Sequence, residues 1–100
     1  NRAYKAAVLY DAGTVKSVMP KPTIDVRGFR LEEALEEIDN QIEACCVHGL
    51  DNFSIIHGYG NGILSTGIHA HLKTHGAVQS YFFAHPEDGG QGKTYVRLRG

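Results

Sequence analysis

The chain has 100 residues, is 42% hydrophobic, carries a formal net charge of −1 at neutral pH and contains two cysteines. That composition leaves room for one hydrophobic core and excludes two separate cores, a disordered chain and a uniformly basic nucleic-acid-binding surface. No apolar run approaches the length of a membrane span and no charged-then-apolar leader opens the chain, so a soluble cytoplasmic domain is expected, with Asn1 read as the start of a fragment of a longer protein.

Residues 1–22 read as peripheral. Ala6 to Tyr10 and Val15 to Met19 flank Asp11-Ala12-Gly13, either as a hairpin or as a linker that becomes extended at Pro20-Lys21-Pro22. The compact domain is expected over residues 23–100. Thr23 to Gly28 alternates as a strand, with Ile24 and Val26 on one face and Asp25 and Arg27 on the other. From Leu31, the apolar residues Leu31, Ala34, Leu35, Ile38, Ile42, Cys45 and Cys46 recur at helical spacing, and Gly49 is a fitting stop. Cys45 and Cys46 form no CxxC pair and read as small packed helix residues in the reduced state.

The charge is segregated along the chain. Glu32, Glu33, Glu36, Glu37, Asp39 and Glu43 all fall on this helix, and the remaining residues carry ten bases against five acids. An acidic face turned away would leave a modestly basic surface for a polyanion, although charge alone favours a solvated helix face with scattered surface lysines.

Phe53 to Ile56 predicts a short buried strand, followed by glycines at 58, 60 and 62 and an apolar helical pattern of Leu64, Ile68 and Leu72 that ends near Gly76. Glycine accepts positive φ, and the first turn of a helix offers unpaired N–H groups, so this strand, loop and helix start suit an anion such as phosphate. His57 adds a titratable group at the strand's carboxyl end. Two familiar fingerprints fail here: a dinucleotide motif from Gly58 needs a glycine where Ile63 stands, and a P-loop ending at Gly92-Lys93-Thr94 needs one where Glu87 stands. Glycines also commonly just turn a chain from strand to helix.

Ala77 to Ala84 predicts a strand with Val78 and Phe82 on one face and Tyr81 and Phe83 on the other; His85 to Lys93 is a loop, and Thr94 to Leu98 a last strand. The expected architecture is an α/β (α+β) two-layer sandwich, βαβαββ. It has a four-stranded mixed sheet, both helices on one face, the first two strands side by side and the last strand antiparallel to its neighbours.

Three stretches, Ile24-Asp25-Val26-Arg27-Gly28, His57-Gly58-Tyr59-Gly60-Asn61-Gly62-Ile63-Leu64 and Gly89-Gly90-Gln91-Gly92, resemble in order and spacing the Smr (small MutS-related) domain family over about residues 23 to 98. The Arg27 form of the first motif is similar to the branch found at the C-terminus of a bacterial MutS paralogue outside mismatch repair, whereas the stand-alone branch usually has histidine there. The resemblance implies a fold like the C-terminal domain of translation initiation factor three, binding of DNA or RNA and, in several members, nicking or cleavage. It marks Asp25, Arg27, His57, Gly58, Gly60, Gly62, Gly89, Gly90 and Gly92 as functional positions. Ser65 stands where the family usually carries Lys or Arg, which weakens phosphate attraction, and Lys93 replaces a usually small residue and restores charge.

On this basis His57 is the expected general base or acid, with Asp25 orienting it or holding a divalent metal. Arg27, Ser65, Lys93 and the glycine amides are expected on phosphate. No tightly bound cofactor is expected, with Mg²⁺ or Mn²⁺ as an added requirement of cleavage. The implied function is weak endonuclease (nicking) activity on branched or structured DNA or RNA, within a MutS-like ATPase acting in recombination suppression or ribosome rescue. The alternatives are a non-catalytic adaptor for nucleic acid or the ribosome, and a protein-binding domain that uses the acidic helix. Against these stand plainer readings: Asp25 and Arg27 simply pair, His57 is a satisfied loop residue, and His48, His69, His71, His75 and His85 are surface residues. Tyr81 and Phe83 are either an exposed base-stacking pair or sheet packing.

Overall fold

A computed structural model describes residues 19–100. The expected hairpin or linker lies outside them except for its last residues, where the Lys21 amide and carbonyl bond the Gln41 side chain and the Pro22 carbonyl accepts the Ser54 amide. Strand β1 (Thr23–Asp25) leads to helix α1 (Leu31–His48), β2 (Asn52–Ile56), helix α2 (Ile63–Thr74), β3 (Val78–Phe83), two 3₁₀ turns (Pro86–Asp88 and Gly90–Gly92) and β4 (Lys93–Leu98). The sheet order is β1-β2-β4-β3, with β1 parallel to β2 and β4 antiparallel to both of its neighbours. Parallel pairing needs a crossover, which α1 supplies between β1 and β2.

Helix α1 forms where the apolar spacing predicts it. Ala34, Ile38, Ile42 and Cys45 are buried, Glu32 and Glu33 occupy the first turn, and the Glu33 carboxylate accepts the Arg30 amide at 2.9 Å. Those acids favour the positive end of the helix dipole. Gly49 closes the helix at φ 76°, a left-handed conformation in which its amide reaches the Cys45 carbonyl. Burial pushes the Cys45 thiol up to about 11, so it stays a neutral packing group.

Ile24, Phe53, Ile55, Val96 and Leu98 face the same side of the sheet and join Ile38, Ile42, Ile68 and Leu72 in one core. Gly67 sets the helix spacing. A Cβ there would fall 2.6 Å from the Leu31 methyl carbons, so any larger residue would push the Leu31 side chain aside where α1 begins against the middle of α2.

Strand β3 departs from simple alternation. A register shift between the Val78 and Ser80 pairings inserts one residue, so Val78, Tyr81 and Phe83 align with Leu98, Val96 and Thr94 on the helix side. Phe82 aligns instead with Tyr95 on the open side. A one-residue bulge flips every later side chain, which is why strict alternation grouped Val78 with Phe82.

Ile38 is fully buried between the layers. Ile38→Ala is expected to cost about 2–5 kcal/mol and lower the urea midpoint at unchanged m-value, whereas Glu36→Ala on the exposed side changes stability by less than about 0.5 kcal/mol.

Candidate nucleic-acid interface at the glycine loop

The chain leaves β2 at Ile56 and turns at once. The amides of His57 and Gly58 both donate to the Gly92 carbonyl, at 3.1 and 2.9 Å, which ties the second glycine stretch to the third. Gly58, Gly60 and Gly62 have φ of 79°, 44° and 84°, values that only glycine adopts without strain. The Asn61 carboxamide oxygen accepts the Ile63 amide at 3.1 Å and the Gly62 carbonyl accepts the Thr66 amide at 2.9 Å, starting α2. The amides of Gly60, Asn61, Leu64 and Ser65 have no acceptor among the described residues, and the first turn of α2 holds no acid. Gly60, Asn61 and Leu64 line a hollow of about 350 Å³ between this loop and the Gly28–Leu31 turn. Backbone donors at the positive end of a helix suit an anion.

The third glycine stretch supports this loop from behind. Gly90 and Gly92 are buried, and a Cβ on either would come within 3.0 Å of the Tyr59 hydroxyl or ring. Tyr59 lies across them and donates its O–H to the Gly89 carbonyl at 3.1 Å. Both glycines therefore seat an aromatic ring, and Gly92 also lines a hollow with Arg27, Gly58 and Lys93.

Asp25 and Arg27 form a fork. Arg27 Nη2 lies 2.6 Å from Asp25 Oδ2, its Nε 3.0 Å from Oδ1, and its own amide 3.0 Å from the same Oδ1. The Arg27 side-chain and amide hydrogen bonds hold the Asp25 carboxyl down to about 2, and Asp25 in turn raises Arg27. The Arg27 stem packs on the loop, with its Cγ 3.4 Å from where a Cβ of Gly58 would stand. Asp25 lies in register with Ile56, on the face opposite to Ile55, while His57 continues the Ile55 side. The structure thus brings Asp25 together with Arg27 and not with His57. Lys93 lines the same side of the loop, its Nζ 3.2 Å from Asp88 Oδ1, and the Ser65 hydroxyl donates to the Gly62 carbonyl at 3.2 Å.

His57 is only 4% exposed. Its Nδ1 is 3.0 Å from the Gly58 carbonyl, and its Nε2 is 2.8 Å from Thr94 Oγ1, which also lies 2.7 Å from His69 Nε2. A carbonyl can only accept, so Nδ1 carries hydrogen. Neutral His57 then accepts the Thr94 hydroxyl proton at Nε2, and Thr94 accepts from His69 Nε2–H. Burial, with repulsion from His57 second, lowers the His69 pKa.

His69 was expected at the surface, yet it packs against Tyr81 and Phe83 at ring-centroid distances of 4.9 and 4.6 Å. The helical pattern contained the signal: with Leu64, Ile68 and Leu72 inward, position 69 borders the same stripe. Tyr81 and Phe83 consequently pack on the helix side and do not form an open stacking pair. His71 is also engaged, its Nε2 2.7 Å from Asp39 Oδ1 on α1, and His75 stands 3.6 Å from the same oxygen. No group of three His, Cys, Asp or Glu side chains suited to a metal ion occurs among the described residues.

The Smr domain family model matches residues 24–99. The chain belongs to the Smr domain family. Over 76 residues, 76% of the chain, it is 43% identical to "Endonuclease MutS2" of Borreliella burgdorferi and 46% identical to the protein of that name from Enterococcus faecalis. The matched part is 10% of each relative's length, so this Smr domain corresponds to a small part of those proteins. The crystal structure of the Smr domain of Thermus thermophilus MutS2 superposes with a TM-score of 0.77 at 36% identity, covering 80% of this chain and all of that one. Escherichia coli YdaL, a stand-alone small MutS-related protein, gives 0.73 at 29% identity over 83% of this chain and 69% of its own. The two-layer fold is therefore that of the Smr domain, and no helix among the described residues is long and apolar enough to cross a membrane.

Two outcomes follow from the His57–Thr94–His69 arrangement. Thr94→Val keeps the shape but leaves both imidazoles facing a methyl group, and is expected to cost about 1–3 kcal/mol in urea denaturation. Because the folded His69 pKa lies below 6.5, the unfolded chain takes up a proton first as pH falls through that value, so stability declines toward acid. His69→Gln should reduce the drop in urea midpoint between pH 7.5 and pH 5.5.

Proposed function

We propose that this Smr domain binds the phosphate backbone of branched or structured DNA or RNA at the glycine loop and nicks it weakly, as part of a MutS-like ATPase of the cytoplasm. The observation that carries the reading is the set of amides at Gly60, Asn61, Leu64 and Ser65 without acceptors among the described residues, near the exposed Arg27 guanidinium. Arg27 can exchange the Asp25 carboxylate for a phosphate with little movement, because each anion offers two oxygens to the planar guanidinium fork. That exchange frees Asp25, whose basicity is suppressed while Arg27 holds it. Asp25 then orients the attacking water, alone or through an added Mg²⁺ or Mn²⁺ that it holds together with phosphate and water oxygens. His57 acts as general acid or base only after Nδ1 leaves the Gly58 carbonyl, so its proton chemistry requires substrate to reshape the loop. For the parent protein, suppression of recombination and rescue of stalled ribosomes are the roles this chemistry would serve.

One observation favours a second reading. Both ring nitrogens of His57 are engaged and the Asp25 carboxylate is held by Arg27, the state of positioning residues in a non-catalytic adaptor that holds the parent protein on nucleic acid or the ribosome.

The test is incubation of the chain with supercoiled plasmid and structured RNA, with Mg²⁺, Mn²⁺ or chelator, beside binding titrations at several salt concentrations. Asp25→Asn should lose nicking while keeping or strengthening binding, and Arg27→Ala should reduce the slope of log K against log salt by about 1. Binding without cleavage in every condition would establish the adaptor. Absence of binding at low salt would overturn both.

A further inference from the structure

The sheet face turned away from the helices carries a second feature, which the glycine-loop chemistry does not use. Across it run two rows of paired residues: Thr23, Ser54, Tyr95 and Phe82, and next to them Asn52, Arg97 and Ser80. Phe82 is 54% exposed although it sits in a strand, and its ring lies 5.7 Å from that of Tyr95. The two rings, with Asn52, His85 and Arg97, line a shallow hollow of about 390 Å³.

The charges around the hollow are uneven. Asp25 and Asp88 are taken by Arg27 and Lys93, and Glu87 stands 4.0 Å from His85. Arg97 is exposed and has no acidic side chain within ion-pair distance among the described residues. It is flanked across the sheet by the polar Asn52 and Ser80. An aromatic pair kept in water, with an unopposed guanidinium on one side and amide and hydroxyl groups around it, is suited to a flat π-face that carries negative charge. Nucleobases on a phosphate backbone have that chemistry, and a four-stranded sheet bearing exposed aromatics is a known way to stack them.

Position argues for one continuous ligand. Lys93, which follows the buried Gly92, pairs with Ile56 at the end of β2 nearest the glycine loop, and its Nζ stands 5.5 Å over the Tyr95 ring. A path therefore leads from Arg27 and Gly58 past Lys93 to Tyr95, Phe82 and Arg97. Successive residues on one strand face are about 6.6 Å apart, so the path spans several nucleotides of single strand.

We propose that the open sheet face, through Phe82, Tyr95 and Arg97, is a stacking platform for a single-stranded segment of the nucleic acid whose backbone lies at the glycine loop. This rests on the nucleic-acid reading above and specifies it: the preferred ligand has unpaired bases beside the loop-bound phosphate, as at a fork, a flap or an RNA loop. A rigid duplex cannot present base faces to the sheet.

The test is fluorescence anisotropy of labelled oligothymidylate of about 12 nucleotides, the middle of the range that such surfaces cover, against a duplex of equal length. Phe82→Ala, Phe82→Trp, Arg97→Ala and Arg27→Ala are compared with the parent chain. Phe82 is largely exposed, so its replacement leaves the core intact, and a thermal melt verifies this. Phe82→Ala should weaken single-strand binding about fivefold or more and leave duplex binding within about twofold, while Phe82→Trp restores it. The chain has no tryptophan of its own, so emission of Phe82→Trp reports on the platform alone and should be quenched by the oligonucleotide. If single-strand binding falls in Arg27→Ala but is unchanged in Phe82→Ala and Arg97→Ala, the platform is refuted and the glycine loop stands. If the parent binds neither probe at low salt, the nucleic-acid reading itself has failed.

Discussion

The Gly92 carbonyl accepts two amide protons, from His57 and Gly58, and the edge of the domain that carries the glycine loop depends on that one oxygen. It fixes where β2 stops and the glycine loop begins, and it places the start of β4 directly beneath the turn. From there Thr94 reaches the buried His57 ring, and Tyr59 folds back over Gly90 and Gly92. A loop with several positive-φ glycines is entropically costly to order. Here the order comes from a neighbouring strand and a tyrosine, so the first turn of α2 can keep its amides turned outward with the geometry already set. Such preorganisation allows a backbone cradle to hold an anion without a large ordering penalty at the moment of binding.

Strand alternation explains why the two groups first assigned to catalysis are apart. Asp25 aligns with Ile56 and so belongs to the open face, while His57 follows Ile55 toward the helices. Residues close in the first and second motifs thereby lie on opposite sides of one sheet, the carboxylate in water with Arg27 and the imidazole in a buried chain of hydrogen bonds. The imidazole serves the loop's architecture in the free protein, with both ring nitrogens engaged. The exposed pair needs only an exchange of partners.

Much of this was legible in the residues, and what was hidden has identifiable causes. Helix α1 could be read from Ala34, Ile38 and Ile42 because a 3.6-residue period over five turns has few competitors, and Gly49 marked its end. The adjacency of β1 and β2 and the antiparallel last strand followed from short crossovers and handedness. Phe82 was misplaced because a bulge leaves no strong mark in β3, where every residue from Tyr81 to Phe83 is aromatic and either phase looks apolar. His69 was missed because histidine scores as polar while its burial depends on a hydroxyl from a strand 25 positions away. The part Gly90 and Gly92 play in seating Tyr59 was hidden because a glycine that admits a ligand and a glycine that admits a tyrosine ring are the same letter.

The net charge of −1 is the least informative number about this domain, since its sign comes from one element. Glu32, Glu33, Glu36, Glu37 and Glu43 ride on α1, whose buried stripe faces the sheet, so these acids point away from the open face. Asp39, on the same helix, is turned to His71 and His75 on α2 and helps clamp the two helices together. A helix layer stands roughly 10 Å from the sheet it covers, comparable to the Debye length of about 8 Å at physiological salt. A polyanion on the far face is therefore largely screened from that acidic helix while remaining close to Arg27, Lys93 and Arg97. The two-layer fold converts a sequence with balanced charge into a surface with a distinct positive side, and the core that separates the layers is also what keeps the charges apart.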